Sequence, residues 1–183
     1  KIRHQAKLLE HEPVSHNFLM GLSSKVRSGD PDNVEARASK RFWKHYICME
    51  GFRRRIEGKF PNNLLNYGYM VMRAAVARAI CGAGLLPSLG LHHCNRYNAF
   101  CLADDMMEPL RGYVEARVRQ IYENEDSDGE LTQYIKASLL EVLYEPVRVG
   151  GYKGPLMVGL HRIMSSLVRC YAGEQNKLEL PEL

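Results

Sequence analysis

Apolar residues recur every three to four positions along most of the chain, which is the spacing of one buried helix face. The stripes lie in residues 1–30, 34–49, 62–83, 110–121, 131–142 and 156–167. Residues 147–154 interrupt the pattern with Gly150-Gly151 and fit either a small hairpin or a mobile loop. The pattern therefore predicts an all-α fold, with a single multi-helix domain over residues 1–183.

Composition narrows the class of protein. Of the 183 residues, 45% are hydrophobic and 25% are charged, as in ordinary globular proteins. No stretch has the unbroken apolar length of a membrane helix, so we expect no membrane partner. The five cysteines are scattered without a Cys-x-x-Cys pair, which favours free thiols in a reducing compartment. The net charge of +4 permits nucleic-acid binding without requiring it. Because the chain starts at Lys1, we expect it to be a piece of a longer protein.

The middle of the chain combines two adjacent histidines with three acids. His92 and His93 are followed by Asp104, Asp105 and Glu108. On a helix, Glu108 lies on the same face as either aspartate, because the separations are four and three residues. Carboxylates gathered on a largely apolar turn repel one another unless a cation lies among them. The spacing favours a site for a hard metal ion over the alternative, acids that merely stabilise a helix N-terminus.

Basic residues form two clusters within about twenty residues. The first is a stripe at helical spacing beside the apolar face of residues 34–49, and the second is an arginine triplet. They comprise Arg37, Lys40, Arg41 and Lys44, then Arg53, Arg54 and Arg55. A solvated helix face is the ordinary explanation for the stripe, but both clusters together indicate a phosphate-binding surface. Asp32 and Glu35 have the spacing of a capping box at the start of this helix.

Four segments, in this order, resemble one protein family. Their sequences are SGDPDNVEA (28–36), NNLLNYGY (62–69), GLLPSLGLHH (84–93) and LADDMMEPLR (102–111). They are similar to the CRISPR-associated integrase that inserts new spacers, in its type II version, and the similarity covers nearly the whole chain. The family's helical C-terminal catalytic domain is the part that this chain resembles. From this resemblance we expect the family's N-terminal β-rich domain to be missing from this chain.

The resemblance implies a divalent-metal site. Carried over by position, the metal ligands are Glu35, His93 and Glu108, and Asp105 is a supporting catalytic acid. Arg96 corresponds to a position that is basic in the family and is expected to steady the DNA end. The roles of the neighbouring His92 and Asp104 stay open.

The same resemblance implies a reaction and its partners. With Mg²⁺ or Mn²⁺, a DNA 3′-hydroxyl attacks a phosphodiester in the CRISPR repeat, and with water the same site is a DNA endonuclease. Double-stranded DNA (prespacer and repeat), a second copy of the chain and a small ferredoxin-like partner nuclease are the expected partners, in the bacterial cytoplasm. Arg37, Arg41, Lys44 and Arg53 to Arg55 would hold the DNA backbone.

Other hypotheses remain open. One is a zinc-stabilised helical domain that uses Cys94, Cys101 and one of the two histidines, although this spacing matches no familiar zinc module. Another is a non-catalytic helical DNA-binding or scaffold fragment. The helix over 62–83 is also apolar on more than one face. We expect it to expose Tyr67, Met70, Val71 and Ile80 to a second subunit or to the missing domain.

Overall fold

The chain forms two compact units, Lys1–Asn63 and Leu64–Glu182. They are seen in a computed structural model that describes residues 1–27, 29–124 and 129–182. Two compact units can be parts of one domain, so the single domain over residues 1–183 stays a prediction. In the described part of the chain, no helix combines the length and the apolar character needed to cross a membrane.

The first unit is built from three helices followed by an irregular segment. Helix α1 spans Ile2–Leu8, α2 spans Pro13–Ser23 and α3 spans Val34–Tyr46. The apolar stripe of α3 is buried as predicted, and the ring of Phe42 stacks on that of Tyr46 with 4.6 Å between centroids. Residues 47–61 contain no helix or strand and carry the arginine triplet on one side of this core.

Helix α3 begins differently from the sequence-based expectation. The carboxylate of Asp30, not that of Asp32, caps the helix, because it accepts hydrogen bonds from the backbone N–H groups of Val34 at 2.8 Å and Glu35 at 2.9 Å. Asn33 adopts a left-handed conformation (φ 52°), which brings Asp30 within reach of these donors. Asp32 instead pairs with Arg27 at 2.6 Å. The capping box predicted from Asp32 was therefore wrong. Ser28, the first residue of this motif, lies outside the described residues.

The second unit contains nearly all of α4 and the rest of the described chain. Its helices are α4 (Asn62–Gly82), α5 (Cys101–Met107), α6 (Arg111–Asn124), α7 (Gln133–Leu140) and α8 (Leu156–Tyr171). Strands β1 (Pro146–Val149) and β2 (Tyr152–Pro155) pair antiparallel, with Val147 opposite Gly154. The structure thus takes the hairpin alternative for this segment. The mainly helical fold class is confirmed.

Two details of the second unit bear on the site. Pro109 lies in a short 3-10 helix, Glu108–Leu110, which separates α5 from α6 and begins at Glu108. On α4, Met70 is exposed as expected, but Ile80 is buried. Ile80 lies four residues after Val76 and therefore belongs to the buried seam. The expectation that Ile80 is exposed was wrong.

Candidate metal centre and nucleic-acid interface

The loop between α4 and α5 folds back onto the start of α5. The backbone N–H of Leu102 donates to the carbonyl oxygen of Pro87 at 2.7 Å. At Gly90 the loop passes so close to the helix that a Cβ atom would lie 2.2 Å from the carbonyl oxygen of His93 and 2.9 Å from Cβ of Cys101. Only glycine fits this approach without a shift of the backbone, so Gly90 fixes the path of the segment that carries the histidines.

Asp105 is the point at which this loop is attached. Its Oδ2 accepts hydrogen bonds from the backbone N–H groups of Leu91 at 2.6 Å and His92 at 2.9 Å. The backbone N–H of His93 lies at 3.3 Å from both carboxylate oxygens. The side chain is only 7% exposed. Burial alone raises the pKa of Asp105, but the hydrogen bonds from these residues outweigh it and the pKa is lowered from the ordinary value.

The imidazole of His93 is oriented by the same carboxylate. Its Nδ1 lies 2.5 Å from Oδ1 of Asp105, and 49% of the side chain is exposed. Because an ionised carboxylate only accepts hydrogen bonds, we infer that Nδ1 carries the proton. Nε2 then keeps its lone pair on the side of the ring away from Asp105. Metal-binding histidines typically make this arrangement, with the second ring nitrogen bonded to a carboxylate.

Glu108 is held by a cation three residues later. Its Oε1 pairs with Nη2 of Arg111 at 2.7 Å, and the guanidinium of Arg111 lies over the ring of Tyr69, 5.0 Å from its centroid. The hydroxyl of Tyr69 donates to Oε1 of Glu115 at 2.8 Å, and Glu115 is only 2% exposed. Sequence reasoning assigned no role to Arg111, Tyr69 or Glu115. Arg111 is the last residue of the motif at 102–111. Tyr69 belongs to the apolar stripe of residues 62–83, and nothing in that stripe indicates that this tyrosine supports a charge.

Asp104 has a different environment from its neighbour. Its carboxylate pairs with Arg73 of α4, with Nε at 2.7 Å from Oδ1 and Nη2 at 2.8 Å from Oδ2. The side-chain amide of Asn98 donates to Oδ2 at 2.7 Å. These contacts link α5 to α4 and give Asp104 a structural role that the sequence left open. His92 contributes its backbone N–H to Asp105, while its ring is exposed.

Glu35 belongs to the first unit, whereas His93 and Glu108 belong to the second. It lies in the first turn of α3 with a half-exposed carboxylate, 3.5 Å from the ammonium group of Lys1. Such an exposed pair contributes little to stability. Within the ranges that the structure describes, no three His, Cys, Asp or Glu side chains form a metal-binding group. The assignment of Glu35, His93 and Glu108 to one metal ion therefore stays a prediction.

Part of each basic cluster of the first unit lines one cavity of about 720 Å³ between the C-terminal half of α3 and residues 47–54. Lys40, Lys44, Arg53 and Arg54 are among its lining residues. The amide of the buried Asn62 fixes the backbone of the triplet, because it donates to the carbonyl oxygen of Arg53 at 3.0 Å and accepts from the N–H of Arg55 at 2.8 Å. The triplet is therefore held in place beside the stripe.

The basic candidate residues differ in how far their side chains are exposed. Five of them are exposed: Arg37, Lys44, Arg53, Arg55 and Arg96. Arg41 is half-buried: its Nε donates to the hydroxyl of Ser15 at 2.7 Å, and its guanidinium lies over the ring of Phe18. Arg96 lies over the ring of Tyr97, 4.6 Å from its centroid, and also contacts its hydroxyl. We expect Arg41 to contribute less to phosphate binding than Arg37, since part of it is occupied within the protein.

The cysteines give the zinc alternative no support among the described residues. Cys101 is buried and its thiol donates to the carbonyl oxygens of Asn98 at 3.3 Å and Asn95 at 3.5 Å, while Cys94 is exposed.

Comparison with known proteins identifies relatives of this chain. The family model "CRISPR associated protein Cas1" matches residues 32–135, which include every candidate site residue named above. The CRISPR-associated endonuclease Cas1 of Neisseria meningitidis serogroup C (strain 8013) is 37% identical over 166 residues, covering 90% of this chain and 54% of the relative. The CRISPR-associated endonuclease Cas1 2 of Pyrobaculum aerophilum is 32% identical over 151 residues, covering 81% and 50%. The chain thus spans about half the length of these curated relatives.

Two solved structures share the fold. A casposase bound to integration product superposes with a TM-score of 0.74 at 20% identity, covering 97% of this chain and 59% of the other. A chain of a Cas6-RT-Cas1–Cas2 complex superposes with a TM-score of 0.78 at 18% identity, covering 100% of this chain and 24% of the other. At these identities the likeness concerns the fold alone. Because the family model matches more than half of this chain, the chain belongs to the family of CRISPR-associated protein Cas1.

Proposed function

We propose that this chain is the catalytic part of a divalent-metal-dependent DNA integrase and endonuclease. In its main reaction a DNA 3′-hydroxyl attacks a phosphodiester of the CRISPR repeat, and with water as nucleophile the same site cleaves DNA. Relatives of about twice its length carry the name endonuclease, which supports the reaction class. The solved casposase bound to integration product has a similar fold, which is compatible with strand transfer.

The observation that carries the proposal is the bond between His93 and Asp105. It favours the tautomer in which Nε2 keeps a lone pair that could bind a metal ion, and it does so on a side chain that is half exposed. The carboxylate of Asp105 is buried and accepts hydrogen bonds from four N–H groups. A histidine with a purely structural role does not need such a carboxylate to orient its ring, because its second nitrogen faces away from the carboxylate. An imidazole with two carboxylates is a donor set that suits Mg²⁺ or Mn²⁺. The residues therefore fit the metal that the family implies.

Each residue of the site has a defined task in this proposal. As the family resemblance implies, Glu35, His93 and Glu108 would hold the ion. Asp105 orients His93, and Arg111, whose guanidinium lies over the ring of Tyr69, pairs with Glu108. A bound divalent ion would stabilise charge on the phosphate oxygens and lower the pKa of the attacking hydroxyl. Arg96 would contact the DNA end, and the cations around the cavity of α3 would bind backbone phosphates without reading sequence.

Partners follow from the proposed reaction. The DNA substrates are a prespacer and the repeat, and the protein assemblies are a homodimer and a complex with a small ferredoxin-like nuclease. One of the similar folds belongs to a Cas6-RT-Cas1–Cas2 complex. The exposed Met70 on α4 would be part of the contact with the second subunit.

The test separates metal binding from cleavage. Mn²⁺ binding is measured by calorimetry, and cleavage and strand transfer are measured on a duplex that contains a CRISPR repeat. We expect His93→Ala and Glu108→Ala each to weaken Mn²⁺ binding and to reduce DNA processing by about a hundredfold or more. His161→Ala, which removes an exposed histidine elsewhere in the second unit, is the matched control. DNA binding without metal-dependent processing by the unaltered chain would favour the scaffold hypothesis. Equal effects of His93→Ala and His161→Ala would contradict the proposal.

A further inference from the structure

The β1–β2 hairpin presents two cations that oppose each other. Arg148 of β1 and Lys153 of β2 are direct register partners, and both are exposed. Their side chains share one face of the hairpin, because Val147 and Val149, on the other face, are buried. Like charges directly opposite each other in an antiparallel pair are destabilising. The opposed pair therefore lowers the stability of the hairpin, and folding alone does not explain why both residues are cations.

No acidic side chain of the described residues forms an ion pair with either cation. Glu179 approaches the turn so closely that a Cβ on Gly150 would lie 1.9 Å from its Oε2, but its carboxylate is paired with Arg169 at 2.9 Å. Glu182 lies beside Arg148 and contacts it through the backbone, with its N–H donating to the carbonyl oxygen at 2.9 Å. The positive charge of this face is thus left for a ligand.

The hairpin is also packed tightly on one face and accessible on the other. It packs onto α8 so closely that a Cβ on Gly159 would lie 2.8 Å from Cγ2 of Val147. Its turn uses Gly150 (φ 51°) and Gly151 (φ 80°), and a Cβ on Gly151 would meet no atom within 4 Å. Cations on a fixed backbone lose less conformational freedom on binding, and the open space beside Gly151 lets an extended ligand pass close to the chain.

We propose that the outer face of this hairpin is a second DNA contact, at which Arg148 and Lys153 bind backbone phosphates of a duplex. A phosphodiester backbone matches two adjacent cations, because its charges repeat along the strand and are contacted without regard to sequence. The site lies outside residues 32–135, which the family model matches, and it is distinct from the cavity beside α3. The identity of the ligand as DNA rests on the proposed function.

The experiment measures binding of the chain to a fluorescent duplex of random sequence, by anisotropy, in EDTA and over a series of salt concentrations. We expect Arg148→Gln/Lys153→Gln to weaken binding roughly tenfold and to lower the slope of log Kd against log salt by about two, one for each lost phosphate contact. The matched control is Lys136→Gln/Lys177→Gln, which removes two exposed cations from the same unit. The charge-conserving Arg148→Lys/Lys153→Arg should bind like the unaltered chain.

Thermal unfolding distinguishes a binding role from a structural one. Neutralising the opposed cations should leave the melting temperature unchanged or raise it, since their repulsion disappears. Equal losses of DNA binding in the hairpin variant and in its control would overturn the inference, as would failure of the unaltered chain to bind DNA. A chain that binds through the hairpin but processes no DNA with metal would refute the proposed function and leave this inference standing.

Discussion

The replacement Asp105→Asn tests the central arrangement of the site with almost no change of shape. The carboxylate has Oδ2 on the N–H groups of Leu91 and His92 and Oδ1 on Nδ1 of His93. An asparagine can keep its oxygen on only one of these two sides. If the oxygen stays on the backbone N–H groups, the amide N–H₂ faces His93 and forces the proton from Nδ1 to Nε2. If the amide is flipped, its N–H₂ opposes the two backbone donors instead.

Both outcomes have measurable consequences. The wrong tautomer removes the lone pair of Nε2, and loss of a carboxylate that orients a metal-binding histidine typically weakens metal affinity about 10- to 100-fold. The buried acceptor also takes part in charge-assisted hydrogen bonds, so we expect the free energy of unfolding of the metal-free chain to fall by about 1.5–3 kcal/mol. Calorimetric titration with Mn²⁺ measures the affinity, and urea unfolding in EDTA measures the stability.

The adjacent Asp104 provides a matched control. Asp104→Asn makes the same chemical change one residue away, but its contacts are with Arg73 and Asn98 rather than with His93. We expect it to lower stability while leaving Mn²⁺ affinity within about threefold of the unaltered chain. The reasoning is refuted if both replacements change Mn²⁺ affinity equally, or if Asp105→Asn leaves it unchanged while the chain stays folded.

Three further predictions concern stability. The pKa of Asp105 is lowered from its ordinary value of 3.8, so its contribution to stability is fully present above that pH and is lost as the pH falls through the lowered pKa of the folded chain. The difference in unfolding free energy between the unaltered chain and Asp105→Asn, measured in urea at several pH values, should therefore shrink only below about pH 4. Gly90→Ala should lower stability by about 1–3 kcal/mol, because its Cβ meets a backbone carbonyl, whereas Gly21→Ala in α2 has free space and should be neutral or stabilising. Asp30→Ala should cost about 1 kcal/mol as a lost helix cap, and Asp32→Ala should cost less; equal losses in thermal unfolding would contradict the observed cap.

The sequence predicted the fold correctly where a helix buries one apolar face. The stripes of α4, α6 and α8 are buried as the periodicity indicates, because residues at a spacing of three to four lie on one face whatever their partners are. The cap of α3 was not predictable in the same way. Two aspartates lie within five residues of the helix start, and the choice between them depends on the left-handed conformation of Asn33, for which the sequence has no clear signal.

The candidate site shows the same division. Spacing predicted one helix for Asp105 and Glu108, whereas Glu108 begins the 3-10 helix directly after α5. The resemblance selected His93, but neither signal named the groups that hold these side chains. Arg111 lies over Tyr69 because two helices, α4 and α6, face each other, and such a pair is 42 positions apart in sequence. Contacts of this kind depend on the packed structure and have no local pattern.

Asp104 and Asp105 show why adjacent identical residues can have unrelated functions. Consecutive residues on an α-helix point about 100° apart, so the two carboxylates leave α5 toward different neighbours. Asp105 meets the N–H groups of the loop and orients His93, while Asp104 meets Arg73 and joins α5 to α4. Each anchors α5 on a different side. The helix that ends just before Glu108 is thereby fixed both to the histidine loop and to the long helix α4, which is the rigidity that a metal site needs if its ligands are to stay in place between reaction cycles.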